Sequence, residues 1–111
     1  MNDPRRRLDD VVARCDEATQ LVARGRDAFE NDVILRHAAK SIIADIGEAA
    51  KNLEELVDEI PDVPWTQIAR MRDRVTHRYF DVDDGVIWDT LISDLPTLQR
   101  AIREFIDQDG A

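Results

Sequence analysis

Two interleaved apolar registers constrain this chain more than anything else in it. Leu35, Ile42, Ala49 and Leu56 recur seven residues apart, and so do Ala39, Ile46, Leu53 and Ile60. A strand turns alternate residues to opposite faces and cannot keep such a pattern on one side, whereas a helix can do so over many turns. The spacing predicts one long helix over about residues 32–60, with Asn31 as its N-cap. Ile34, Ala38, Ile43, Ala50 and Val57 widen the stripe beyond a two-stranded seam, which suits the centre of a helical bundle. Within it, Gly47 needs a reason, because a mid-helix glycine costs roughly 1 kcal/mol against alanine. The small side chains of IGEAA, residues 46–50, predict a close helix crossing. Glu48 beside it is then either an exposed charge or the partner of an arginine on the crossing helix.

The remaining segments read as helices punctuated by glycine and proline. Pro4 opens the first, and Leu8, Val11, Val12, Cys15, Ala18, Thr19 and Val22 keep its apolar stripe until Gly25 ends it. Residues 26–31 form a connector or one short turn. PDVP at 61–64 breaks the chain, and Pro64 starts a helix over about 64–79 that carries Trp65, Ile68, Met71 and Val75 inward. Asp83 or Asp84 caps a helix over about 84–94, and Pro96 starts or kinks a last one to about residue 107. Aromatics are only 5% of a chain that is 43% hydrophobic, so the core is expected to be Leu, Ile, Val and Ala. The expectation is an all-α fold: an antiparallel bundle of four main helices plus a short fifth segment, forming a single domain over residues 1–111.

Several chemistries have no residues to support them. The lone Cys15 leaves no intramolecular disulfide and no four-cysteine zinc site. No H-E-x-x-H pattern or Gly-rich phosphate loop occurs, His37 and His77 are far apart in sequence, and Asp81, Asp83 and Asp84 read as caps. No metal and no cofactor are therefore expected. Arg36 and His37 read as a solvated or interface pair. Apolar runs fall short of the roughly 18 residues that a membrane span needs, and MNDPRRRLDD lacks the apolar core of a secretory signal. A cytoplasmic protein without membrane contact is implied.

One stretch runs against the overall net charge of −9. Arg70, Arg72, Arg74 and Arg78 surround His77 in MRDRVTHRYFD and the residue before it, and over residues 70–78 only Asp73 opposes them. Diffuse nucleic-acid binding is disfavoured in so acidic a protein, so any RNA contact should concentrate here. Cleaving RNA without a metal needs a group that can move the 2′-hydroxyl proton near neutral pH and a fixed cation for the charge growing on phosphate. Histidine and arginine meet these demands, and Asp73, four residues before His77, could hold one imidazole nitrogen. At 100° per residue Arg72 and Tyr79 share a face, whereas Arg72 and His77 lie about 140° apart and would flank a groove. The plainer alternative is that a histidine and arginines at a helix C-terminus simply complement the dipole.

Taken together, DVILRHAAKSIIADIGEAAKNL, PDVPWTQIARMRDRVTHRYFDVD and IWDTLISDLPTL resemble the HepT-like branch of the HEPN superfamily over roughly residues 32–98. The specific signature is an arginine, four residues, a histidine, one residue and a tyrosine, matched by Arg72, His77 and Tyr79. Where many relatives carry asparagine after the arginine, this chain has Asp73. The resemblance implies a metal-independent ribonuclease toxin acting on RNA, tRNA or mRNA among the candidates. It also implies a homodimer that brings two motifs together, with Arg72 and His77 catalytic; on the residues themselves, Asp73 and Glu48 read as supporting them. Arg70, Arg74 and Arg78 would bind RNA. A nucleotidyltransferase-fold antitoxin is the implied partner, transferring AMP to Tyr79. The alternative is a non-catalytic dimeric helical module that binds nucleotide or such a partner through the same groove.

Overall fold

The structure is a computed structural model and describes residues 4–53, 56 and 58–109. Its helices are α1 (Pro4–Val22), α2 (Arg26–Asn31), α3 (Val33–Lys51), α4 (Trp65–His77), α5 (Asp84–Asp89) and α6 (Leu95–Asp109), with a π-helical turn over Thr90–Asp94 joining the last two. Among the described residues there is no strand, and the fold is all-α as expected. No helix among them is long and apolar enough to cross a membrane.

The central position predicted for the heptad helix is where α3 lies, packed chiefly on α4 and α1. Ala39, Ile42, Ile43 and Ile46 of α3 meet Leu8, Val11, Cys15, Ala18 and Leu21 of α1, with Ile68, Met71 and Val75 of α4 and the apolar positions of α5 and α6 completing one cluster. Leu21 completes the α1 stripe; the expected Thr19 is exposed and turns its hydroxyl back to donate to the Cys15 carbonyl at 3.1 Å. Burial raises the Cys15 thiol pKa from 9.0 to about 12, with Asp16 adding to the shift and Arg103 opposing it.

Several boundaries differ from expectation for local reasons. Gly25 ends α1 as predicted, with φ of 95° that a side chain would oppose. The connector after it is helical, because α2 buries Phe29 against Trp88 at a ring separation of 5.3 Å. Asn31 therefore belongs to α2, and Asp32 is the N-cap of α3, accepting from the Ile34 amide at 2.9 Å. At the other end α3 stops at Lys51 instead of continuing to 60. Asn52 folds back, its amide bonding to the Ala49 and Ala50 carbonyls and its side chain to the Glu48 carbonyl. Leu53 and Ile60 are still only 1% exposed, so the heptad spacing reports their burial correctly, although Leu53 lies in a turn and Ile60 in a bend. Val57 lies outside the described residues.

Pro64 stands just outside α4 as its N-cap, and α4 ends at His77, two residues early. Asp83 caps α5, accepting from the Gly85 amide at 2.6 Å. Pro96 falls in the first turn of α6, directly after the π turn in which the Leu95 amide reaches five residues back to the Thr90 carbonyl. A proline ring crowds the carbonyl four residues before it in a regular helix, here that of Ile92, and the wider turn relieves this.

Candidate functional site

Arg72 sits where α4 crosses α3 over Gly47. A Cβ on that glycine would lie 2.5 Å from Arg72 Cγ and nearer still to its Cβ, so the glycine is required by close approach, as the sequence suggested. Glu48, next along α3, accepts from Arg72 Nη2 at 2.7 Å, while Asp73 accepts from Nη1 at 3.2 Å. Glu48 meets both readings, being exposed and paired with an α4 arginine. Both carboxylates are more than half exposed and the Arg72 side chain is 21% exposed, leaving the guanidinium at the rim of the crossing.

His77 is the last residue of α4 and is exposed. Asp73 gives its carboxylate to Arg72, and no bond from it to His77 occurs among the described residues. The imidazole is thus free to meet solvent or ligand, at the helix end where a cation is favoured. Five residues of regular helix separate it from Arg72, so the angular offset of about 140° stands.

Tyr79 breaks the helical geometry expected for it. Arg78 leaves the helix at φ −135° and ψ 45°, and the tyrosine swings onto the N-terminal half of α3. Its hydroxyl hydrogen-bonds with His37 Nδ1. The two rings stack at 5.4 Å with 14° between planes. Lys40 Nζ donates to the Tyr79 carbonyl at 2.5 Å and lies 4.4 Å from the ring centroid. Because Arg72 is anchored at Glu48 and Tyr79 at His37, the two are about 16 Å apart along α3 at its 1.5 Å rise per residue. Within one chain they do not share a face.

The basic stretch is divided as well. Arg70 and Arg74 border a cleft of about 290 Å³ with Asp89 and Asp94, on the side of α4 away from Arg72. In that cleft burial, helped by Asp89, raises the Asp94 pKa. Arg78 is exposed beyond the helix end. Beside Tyr79 runs an open groove of about 730 Å³ lined by Arg36, His37, Lys40 and Phe80, with Glu30 and Asp84 among the opposing charges. No group of three or more His, Cys, Asp or Glu side chains poised for a metal occurs among the described residues.

The sequence assigned His37 no role at the site and did not single out Lys40. His37 read as a solvated or interface residue, yet it meets the hydroxyl of a tyrosine 42 residues away. Lys40 is 8% exposed. A lysine three residues after a histidine, within a helix otherwise apolar at Ala38 and Ala39, was the available signal.

The family profile described as "Ribonuclease HepT-like" matches residues 9–105. A Caldanaerobacter subterraneus subsp. tengcongensis protein named as a candidate RNase is 32% identical over 111 residues, covering 98% of this chain and 99% of its own. One from Methanocaldococcus jannaschii, likewise named as a candidate RNase, is 38% identical over 81 residues, which is 72% of this chain and 67% of that one. A Thermococcus cleftensis protein named as a candidate ribonuclease HepT is 46% identical over 55 residues, about half of each chain. No solved structure matches. With an all-α bundle and the Arg72, His77 and Tyr79 signature in place, the chain belongs to the HepT-like ribonuclease family of the HEPN superfamily.

Proposed function

We propose that the chain is a metal-independent endoribonuclease, the toxin of a toxin–antitoxin pair, with Arg72 and His77 catalytic in a site completed by a second copy. The observation that carries this reading is the α4 edge. An exposed, unpaired imidazole at its end follows a guanidinium held at the rim of a glycine crossing. His77 takes the 2′-hydroxyl proton, the 2′-oxygen attacks phosphorus, and the 5′-oxygen leaves with a proton from the second copy. Arg72 meets the charge on the phosphoryl oxygens. The offset between Arg72 and His77 makes a two-fold groove the economical arrangement, since each chain then supplies one wall. Arg78 extends that wall, while Arg70 and Arg74 reach only RNA that wraps past α4.

Neutralisation by a nucleotidyltransferase antitoxin through AMP on Tyr79 belongs to the same reading. The added phosphate carries negative charge and bulk into the groove beside α3. Given the axial distance from Arg72, it acts on RNA crossing the dimer more than on that arginine directly. One observation favours a binding module instead: Glu48 and Asp73 already occupy Arg72. Purified protein incubated with RNA and excess chelator separates the two readings. The proposal expects cleavage that falls by about a hundredfold or more in Arg72→Ala and in His77→Ala, with helical content unchanged and light scattering giving a dimer. Binding without cleavage, or a requirement for added divalent metal, rejects it.

A further inference from the structure

The geometry points to His37 as the base that takes the Tyr79 proton when the hydroxyl is nucleotidylated, with Lys40 as the cation that receives the new phosphate. This rests on the reading of Tyr79 as an AMP acceptor and adds to it the acceptor's own machinery.

A phenol attacking phosphorus must shed its proton as the new bond forms, and a group already bonded to the hydroxyl is the one positioned to take it. That group is His37 Nδ1. It can accept only in the tautomer that carries its proton on Nε2. The imidazole is exposed, so a proton taken on one side can leave to water. Stacking at 5.4 Å fixes the ring against the phenol, which holds the nucleophile in one orientation for an incoming electrophile.

Lys40 supplies a second, independent observation. The residue is 8% exposed, yet its ammonium is held by a neutral carbonyl and the face of the Tyr79 ring. Among the described residues no carboxylate pairs with it. Burying a cation without a counter-charge is costly, and a phosphodiester formed on the same tyrosine provides that counter-charge. The adjoining groove of about 730 Å³ accommodates the nucleotide. Phe80, 88% exposed and edge-on to Tyr79 at 5.2 Å, offers its face to the base.

Tyr79 Oη bonds to the α-phosphorus of a nucleoside triphosphate held with its divalent cation by the nucleotidyltransferase. The bridging bond to the β-phosphate breaks and pyrophosphate departs. The phenolic proton passes to His37.

Tyr79 is the only tyrosine in the chain, so intact mass and one peptide report the reaction. Two electrophiles are compared: ATP and magnesium with the neighbouring nucleotidyltransferase, and fluorosulfonylbenzoyl adenosine with no transferase. His37→Ala is expected to slow both by about a hundredfold, in kcat with KM unchanged for the enzymatic reaction, and added imidazole should restore part of the rate. Lys40→Gln should slow transfer of the anionic AMP far more than sulfonylation. Wild-type rates in His37→Ala, or a loss that imidazole does not relieve, overturns the assignment. If the transferase leaves the wild-type chain unmodified, the AMP-acceptor reading fails. The sulfonylation rates then decide His37 independently: faster labelling of Tyr79 in wild type than in His37→Ala upholds its role as base, and equal labelling ends it.

Discussion

Gly47→Ala sets two effects of opposite sign against each other. Alanine is the better helix former by about 1 kcal/mol, so propensity alone says that the variant is more stable. Packing says the reverse. The new Cβ would lie 2.5 Å from Arg72 Cγ, and ordinary carbon contact begins near 3.5 Å, so α3 and α4 must part by about 1 Å. Arg72 Cβ, nearer still, is fixed to the backbone, and no change of rotamer moves it. Overpacking of this kind costs about 1–3 kcal/mol, and with no flexible end to give way the upper part of that range applies. The net expectation is a loss of about 2 kcal/mol, lowering Tm by roughly 10 °C for a domain of this size. Urea and thermal unfolding followed by circular dichroism measure it. Since the same displacement shifts Arg72 from its place at the α3–α4 crossing, cleavage of RNA should fall at temperatures where the variant is still folded. A Tm above that of the wild type would refute the reasoning, showing that the crossing has room to spare.

Cys15, buried with its pKa raised to about 12, should resist a disulfide reagent at about pH 8 until the chain unfolds, and rapid labelling of native protein would contradict this. Its contribution to stability is fully present below the unfolded value of 9.0 and is lost as pH rises from there towards 12, because the unfolded thiol ionises first. Alkaline unfolding should therefore begin later in Cys15→Ala than in the wild type, once the difference at neutral pH is subtracted. Glu48→Gln should leave stability within about 0.5 kcal/mol, as for other exposed pairs, and tighten RNA binding a few-fold by freeing Arg72 for phosphate. Weaker binding in a fluorescence anisotropy titration would mean that Glu48 orients Arg72 instead of competing for it.

What the sequence made legible follows from how far each signal reaches. Gly25 and Asp83 act through their own backbone or nearest neighbours, Asp83 being one of the two caps offered, and Gly47 stands at the close crossing that its missing side chain announced. Leu53 and Ile60 show the limit of periodicity: the pattern identifies what is buried, while the helix ends before them at the Asn52 cap. At the site, Arg72 was legible as a motif position and its partner Glu48 as a residue beside a crossing. Tyr79 was misplaced because angular reckoning assumes that the helix continues, and it stops at His77. The contacts of His37 and Lys40 with Tyr79 were hidden because they exist only once a residue some forty positions away has folded onto α3.

The wide turn at Thr90–Asp94 and the proline that follows it are bound to one another in any change the chain undergoes. Deleting one residue from the turn restores regular α geometry and drives the Pro96 ring into a carbonyl. Replacing Pro96 alone relieves no clash, the wide turn having done so already, and leaves the extra residue, with its poorer hydrogen bonding, in place. The deletion alone leads downhill in stability, while the double change passes to a regular helix. A lineage carrying this pair can then shed the turn only with the proline or after it. The wide turn is thereby a standing condition on the proline, and a last helix that carries Pro96 should transplant between relatives only together with its turn.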